Sequence, residues 1–336
     1  MQEKDFTMSD VHREALAAEK RIKPYIRITP LEHDLYLSRV GQAHVFLKLE
    51  NLQMTGSFKL RGALNKLLTL GSREKQTGVI TASSGNHGAA FTYSAKRLGF
   101  TGTVVVPENV SPVKLELLEL YGAELVFHGT DAADTETFAR HKAKEQGKTF
   151  ISPYNDRMII AGQATTAIEI MKQAEQVDAV LVPVGGGGLM SGIAGYIKTI
   201  NKNIRLIGCL PESSPVMAES VKAGRIVRLE SRPTLADGSA GGIEEGSITF
   251  PLCRDCVDDY ILVSEQEIKA AILLILEKTN MLIEGAAALP VAAFLKEKEK
   301  FKNKHVVLVI SGRRISLDKL KDILYCPENS CSCSER

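Results

Sequence analysis

From Ala179 to Val184 the chain runs six apolar residues without a break. It then places four glycines, Gly185–Gly188, and resumes as a helical pattern over Leu189–Thr199. A strand that is apolar on both faces needs cover on both faces, and a parallel sheet sandwiched by helices supplies it. The alternation recurs. Strands are predicted at His44–Glu50, Gly78–Ala82, Gly102–Val106, Glu124–Phe127, Thr149–Ser152, Ile204–Cys209 and His305–Ile310. Helices are predicted at Ser57–Leu70 (capped by Ser57), Gly88–Leu98, Val113–Tyr121, Asp134–Gln146, Gln163–Gln173, Glu265–Lys278 and Gly285–Lys298. Strands alternating with helices define an α/β class with parallel sheets and right-handed crossovers. With 336 residues, 44% of them hydrophobic, there is enough chain for two such domains. Leu229–Leu252, rich in Gly, Ser and Pro, is expected to be an ordered loop near the site.

The net charge of +2, with acids and bases interspersed, leaves no basic stripe for nucleic acid. Met1–Asp5 is charged rather than apolar, so it is not read as a secretory signal. No apolar run reaches the roughly 18 residues of a membrane helix. The expectation is a cytoplasmic protein without a membrane partner. Cys253 and Cys256 have the spacing of a metal or redox pair but lack a second pair, and on a helix that spacing puts both on one face. Cys326, Cys331 and Cys333 fall in a polar tail, 326–336, expected to be flexible.

Three motifs carry chemistry. Gly185–Gly188 joins a strand to a helix start, so successive backbone N–H groups can form an anion nest, with phosphate as the natural guest. Ser83-Ser84-Gly85-Asn86-His87-Gly88 ends a strand and opens a helix, which suits a carboxylate; alone it also fits an ordinary helix cap. Lys59, in Ser57-Phe58-Lys59-Leu60-Arg61-Gly62-Ala63, would alone read as a surface lysine. A lysine amine nevertheless forms Schiff bases with carbonyls, and burial lowers its pKa so that it can act as a base. Both loops, and Ser311-Gly312 after the last strand, fall at carboxyl ends of strands, where open α/β sheets bind ligands.

With these motifs in this order, the chain resembles the fold-type-II pyridoxal-phosphate enzymes, which share the tryptophan synthase β-like fold. Within them it is similar to the serine/threonine dehydratase and serine racemase group, over about residues 20–320. The resemblance implies a discontinuous large domain (1–55 and 155–325) that binds pyridoxal 5′-phosphate. It also implies a small domain (56–154) bearing the lysine and the carboxylate loop. Lys59 is then the Schiff-base lysine and the base for the α-proton, with Phe58 beside the ring. Asn86 meets the ring's phenolic oxygen, and Gly185, Gly186, Gly187 and Gly188 hold the phosphate. Ser311 meets the pyridine nitrogen, and Asn155, Gly238 and Glu284 line the pocket. Ser83, Ser84, Gly85, Asn86 and His87 take the substrate carboxylate. A neutral hydroxyl at the ring nitrogen makes a weaker electron sink than a carboxylate would, favouring prompt loss of a β-substituent. The expected reaction is dehydration and deamination of L-threonine or L-serine to a 2-oxo acid and ammonia, in a homodimer.

Ser84 opens an alternative, because a hydroxyl facing Lys59 across the substrate could return the proton to the opposite face and racemise serine. A non-catalytic pyridoxal-phosphate-binding protein is a further alternative; it would need Lys59 and the glycines but not the carboxylate loop. Three departures from the group stand out. Leu210 and Val216 replace a glutamate and an aspartate that bind metal in some relatives, so no metal is expected. Arg313-Arg314 replaces Gly-Asn, either to recognise an extra substrate carboxylate or to point into solvent. The acidic loop Ala236–Ser247 resembles that of dehydratase-like proteins of hydroxyectoine breakdown, which brings hydroxyectoine-derived or 3-hydroxyaspartate-like substrates into view.

Overall fold

The computed structural model describes residues 6–325; the predicted tail and its Cys326, Cys331 and Cys333 lie outside the described residues. Among the described residues ten strands form two sheets. They are β1 (Leu31–His33), β2 (His44–Lys48), β3 (Val79–Ala82), β4 (Gly102–Val106), β5 (Glu124–Phe127), β6 (Thr149–Phe150), β7 (Ala179–Pro183), β8 (Arg205–Pro211), β9 (Asp259–Val263) and β10 (His305–Val309). The six-stranded sheet has the order β1-β2-β10-β7-β8-β9, and the four-stranded sheet β5-β4-β3-β6. Every pairing is parallel except β1 with β2.

The apolar runs read as strands because alternate residues feed different cores. In the larger sheet Leu181, Val306 and Leu308 face one core, while Val180, Val182, Val307 and Val309 face the other. Helices Glu265–Thr279 and Gly285–Lys296 cover the first face, through Ile268, Ile272 and Leu289. Helices Met8–Ile22, Arg157–Gln173 and Gly188–Ile200 cover the second, through Val11, Ala164 and Ile193. The smaller sheet repeats the scheme, with Val79 and Val104 on one side and Ile80 and Val105 on the other.

Several predicted boundaries are corrected. Ser57 does not cap the helix. That helix runs Lys59–Leu68 with Phe58 at its N-cap, while Ser57 pairs with Gly312 in an isolated antiparallel bridge. The helix placed at Gln163 starts at Arg157, because Asp156 accepts from the N–H groups of Met158 and Ile159. The helix placed at Gly88 starts at Asn86. Cys253 and Cys256 lie on the helix Thr249–Cys256, which starts inside the predicted loop, and both are buried on it.

Beneath the Lys59 helix lies a charge cluster closed to solvent. Arg61 donates Nε and Nη2 to the two oxygens of Glu50, at 2.7 Å each. It donates Nη1 and Nη2 to those of Glu169, at 2.7 and 2.8 Å. Lys48 Nζ joins Glu169 at 2.6 Å. Two cations and two anions balance, so each buried charge is paired and hydrogen-bonded, as burial requires.

Candidate active site

Three strand ends converge. After β3 come Ser83–Gly85 and the helix Asn86–Leu98; after β7 come the glycines and the helix Gly188–Ile200; after β10 comes Ser311. The last strand end is tied directly to the lysine segment. Phe58 N–H donates to Ser311 O and Arg313 N–H to Gly56 O, each at 3.1 Å.

Lys59 is the first residue of its helix and partly buried. Its Nζ donates to Pro153 O at 2.8 Å and lies 5.3 Å from the centre of the Phe58 ring. Desolvation lowers its pKa to about 8, partly offset by the negative charge of Glu284. An amine so placed is neutral in part near physiological pH, as a Schiff-base amine or a base requires.

The glycine run forms a cup that side chains would fill. A Cβ on Gly186 would lie 2.6 Å from the Tyr154 ring, and Gly187 has φ +86°, a backbone that L side chains rarely adopt. Thr249 Oγ1 donates to Gly186 O at 2.7 Å, bracing the cup from behind. The helix starting at Gly188 directs its first N–H groups and its partial positive charge toward the opening.

Asn86 donates Nδ2 to both oxygens of Glu284, at 2.8 and 2.9 Å, and its Oδ1 is buried without a partner. Glu284 is 6% exposed, and burial pushes its carboxyl up to about 7. Ser84 lies in the turn before the helix, and among the described residues no protein group hydrogen-bonds its hydroxyl. His87 differs from the expectation for the carboxylate loop. Its Nε2 is held by Thr81 Oγ1 at 3.1 Å and Ile151 O at 3.3 Å, and desolvation lowers its pKa to about 3. Its imidazole is therefore neutral, leaving only its backbone N–H for an anion. Asn155 is also engaged, donating to Glu244 and accepting from Ile248 N–H. Gly238 stands 3.6 Å from Glu284 Oε1, measured from where a Cβ would be.

Arg314 takes neither course expected of it. Its Nε and Nη2 donate to Thr55 O at 3.1 and 2.8 Å, and its backbone N–H donates to Glu284 at 2.9 Å. It clamps the segment leading to Lys59, while Arg313 is exposed. Leu210 and Val216 are both buried. The motif reading missed Tyr154, Pro153, Ser239 and Thr249. Tyr154 and Pro153 adjoin the singled-out Asn155, but the contacts that give them meaning are to residues far away in the chain.

The residues fit pyridoxal phosphate: a glycine cup at a helix start, a partly neutral lysine, and an unpartnered buried Asn86 oxygen. Two α/β units with ligand loops at strand ends define the corresponding class of enzyme. The family model described as pyridoxal-phosphate dependent enzyme matches residues 22–312, and the chain belongs to that family. It is similar to the L-threonine dehydratase catabolic TdcB of Staphylococcus aureus (strain USA300), at 39% identity over 91% of this chain and 90% of that one. Among solved structures it is similar to maize serine racemase, with TM-score 0.88, 32% identity and coverage of 94% and 96%. It is also similar to the processed form of threonine deaminase isoform 2 from Solanum lycopersicum, with TM-score 0.90, 30% identity and coverage of 94% and 87%. The chain is a pyridoxal-phosphate-dependent enzyme of the ammonia-lyase type.

Proposed function

We propose that this enzyme dehydrates and deaminates a β-hydroxy amino acid, L-threonine or L-serine, to a 2-oxo acid and ammonia. The observation that carries the reading is Lys59. Its amine, lowered to about 8, donates to Pro153 O and lies close enough to His87 and to the buried Glu284 for their charges to interact. Bound pyridoxal phosphate supplies an electron sink that acidifies the α-C–H of an amino acid joined to it. Gly185–Gly188 would hold the phosphate, with Phe58 beside the ring and Ser311 at the ring nitrogen. The backbone N–H groups at Ser84–His87 and the Ser83 and Ser84 hydroxyls receive the substrate carboxylate. Lys59 Nζ takes the α-proton. Asn86 and Glu284 would orient the ring edge, with Asn155 and Gly238 lining the pocket around it.

The division into domains 1–55 with 155–325 and 56–154 belongs to this reading. It is supported by β3–β6, which fall within 79–150 and form their own sheet. The family resemblance supports a homodimer placed in the cytoplasm. Racemisation is the second reading, favoured by the unbonded Ser84 hydroxyl.

The test is a panel of L-serine, L-threonine, 3-hydroxyaspartate and hydroxyectoine-derived amino acids, with 2-oxo acid and chiral detection. The proposal expects 2-oxo acid and ammonia from at least one of them. D-serine without pyruvate would replace it with racemisation, and no product from any would overturn it.

A further inference from the structure

The loop after Ala236 crosses the site. Ser239 backbone lies 2.9 Å from where a Cβ of Gly185 would be, and Gly238 adjoins Glu284. Beyond them Gly241 N–H donates to Ser214 Oγ at 3.1 Å, Ile243 packs against the core, and Ile248 N–H donates to Asn155 Oδ1 at 3.0 Å. Gly241 and Gly246 have φ of +116° and +73°, and nothing lies within 4 Å of a Cβ at Gly241, Gly242 or Gly246. Glu244 alone of these ties the loop to both the small-sheet helix and the 153–155 turn through its side chain. Its Oε1 pairs with Arg140 Nη2 at 2.6 Å, its Oε2 accepts from Asn155 Nδ2 at 2.9 Å, and its N–H donates to Tyr154 OH at 2.9 Å.

Those partners are what give Glu244 leverage. Arg140 belongs to the helix Ala132–Gln146 over the four-stranded sheet, where it is also held by Glu136 at 2.6 Å and stacks 4.2 Å from the Phe150 ring centre. Tyr154 lays its ring against Gly186 of the cup. Pro153, immediately before it, holds Lys59 Nζ. Three consecutive residues, 153–155, thus touch the lysine, the phosphate cup and Glu244. Glu244 is thereby tied to the wall of the site.

We propose that Glu244 is a positioning residue: by bridging Arg140 and the 153–155 turn it holds the 236–248 loop shut across the substrate side of the site. The inference rests on the ammonia-lyase reading for its kinetic consequence but not for its structural one. Glu244→Ala removes both side-chain bonds. Glu244→Gln keeps an acceptor for Asn155 and loses the charge pair. Arg140→Gln removes the same pair from the other side. Glu245, 92% exposed in its side chain, supplies the control Glu245→Gln.

The experiment is hydrogen exchange by mass spectrometry on each holoenzyme, with steady-state kinetics on whichever substrate the panel identifies. Glu244→Ala is expected to speed exchange across 236–248 by about tenfold or more, while peptides of β7 and β10 keep their rates. KM should rise about tenfold, with kcat changing by less than about threefold, the pattern of lost binding rather than lost chemistry. Glu244→Gln and Arg140→Gln should match each other, and their double variant should add nothing. Loop exchange equal to that of Glu245→Gln would overturn the proposal. So would faster exchange throughout the protein, which marks a merely structural role. If no amino acid is turned over, the exchange data alone decide the inference, while the functional reading fails separately.

Discussion

Glu284 makes the site's electrostatics visible at the scale of one residue. Its carboxyl is buried and accepts from Asn86 Nδ2 and Arg314 N–H, yet burial still dominates and holds its pKa near 7. The ordinary value is 4.5. A group whose folded pKa is raised keeps its proton in the native state after the unfolded chain has lost it. The cost of ionising Glu284 is therefore absent below pH 4.5 and complete above about 7. At about 1.4 kcal/mol per pH unit, that cost is on the order of 3 kcal/mol. The stability of cofactor-free Glu284→Gln relative to wild type should rise by about this amount from pH 4.5 to 7.5, read from urea midpoints. A pH-independent difference would show that Glu284 is not held neutral. The family resemblance marked Glu284 as lining a pocket. Its protonation state was not legible, because it depends on Asn86, 198 positions away, and on the closeness of Gly312.

The helix Lys59–Leu68 owes its placement to Arg61. Arg61 is fully buried, and its guanidinium joins Glu50, just after β2, to Glu169 on the helix Arg157–Gln173. Arg61→Met would leave two buried carboxylates with Lys48 as their one cation, and should cost about 3–5 kcal/mol in urea denaturation of the apoprotein. A loss below about 1 kcal/mol would mean the cluster does not anchor the helix. Arg61 lies within the motif read around Lys59, but as an isolated residue it carries no sign of this role, since Glu169 is 108 positions on. The helix Met8–Ile22, absent from the predicted elements, carries a clear signal in the sequence. Thr7 and Asp10 form a capping box, and Val11, Ala15, Ala18 and Ile22 repeat at helical spacing along its buried side.

At the scale of the molecule, the parallel sheets were legible because β7 and β10 are apolar on both faces and so announce two cores. The ligand loops were legible from their composition together with their shared placement at strand ends. Short β1, antiparallel to β2, and β9 were not recovered: three residues carry no period, and Asp259–Val263 is only half buried. Nor did the sequence disclose how the segments lock, since Phe58 with Ser311, Arg314 with Thr55 and Glu244 with Asn155 are all long-range pairs. These locks converge on Lys59. The most direct test is to reduce the holoenzyme with borohydride, digest it and map the pyridoxyl adduct by mass spectrometry. The account predicts the adduct on the peptide containing Lys59 and none in Lys59→Ala. An adduct on another lysine of the wild-type protein, or none at all, would contradict it.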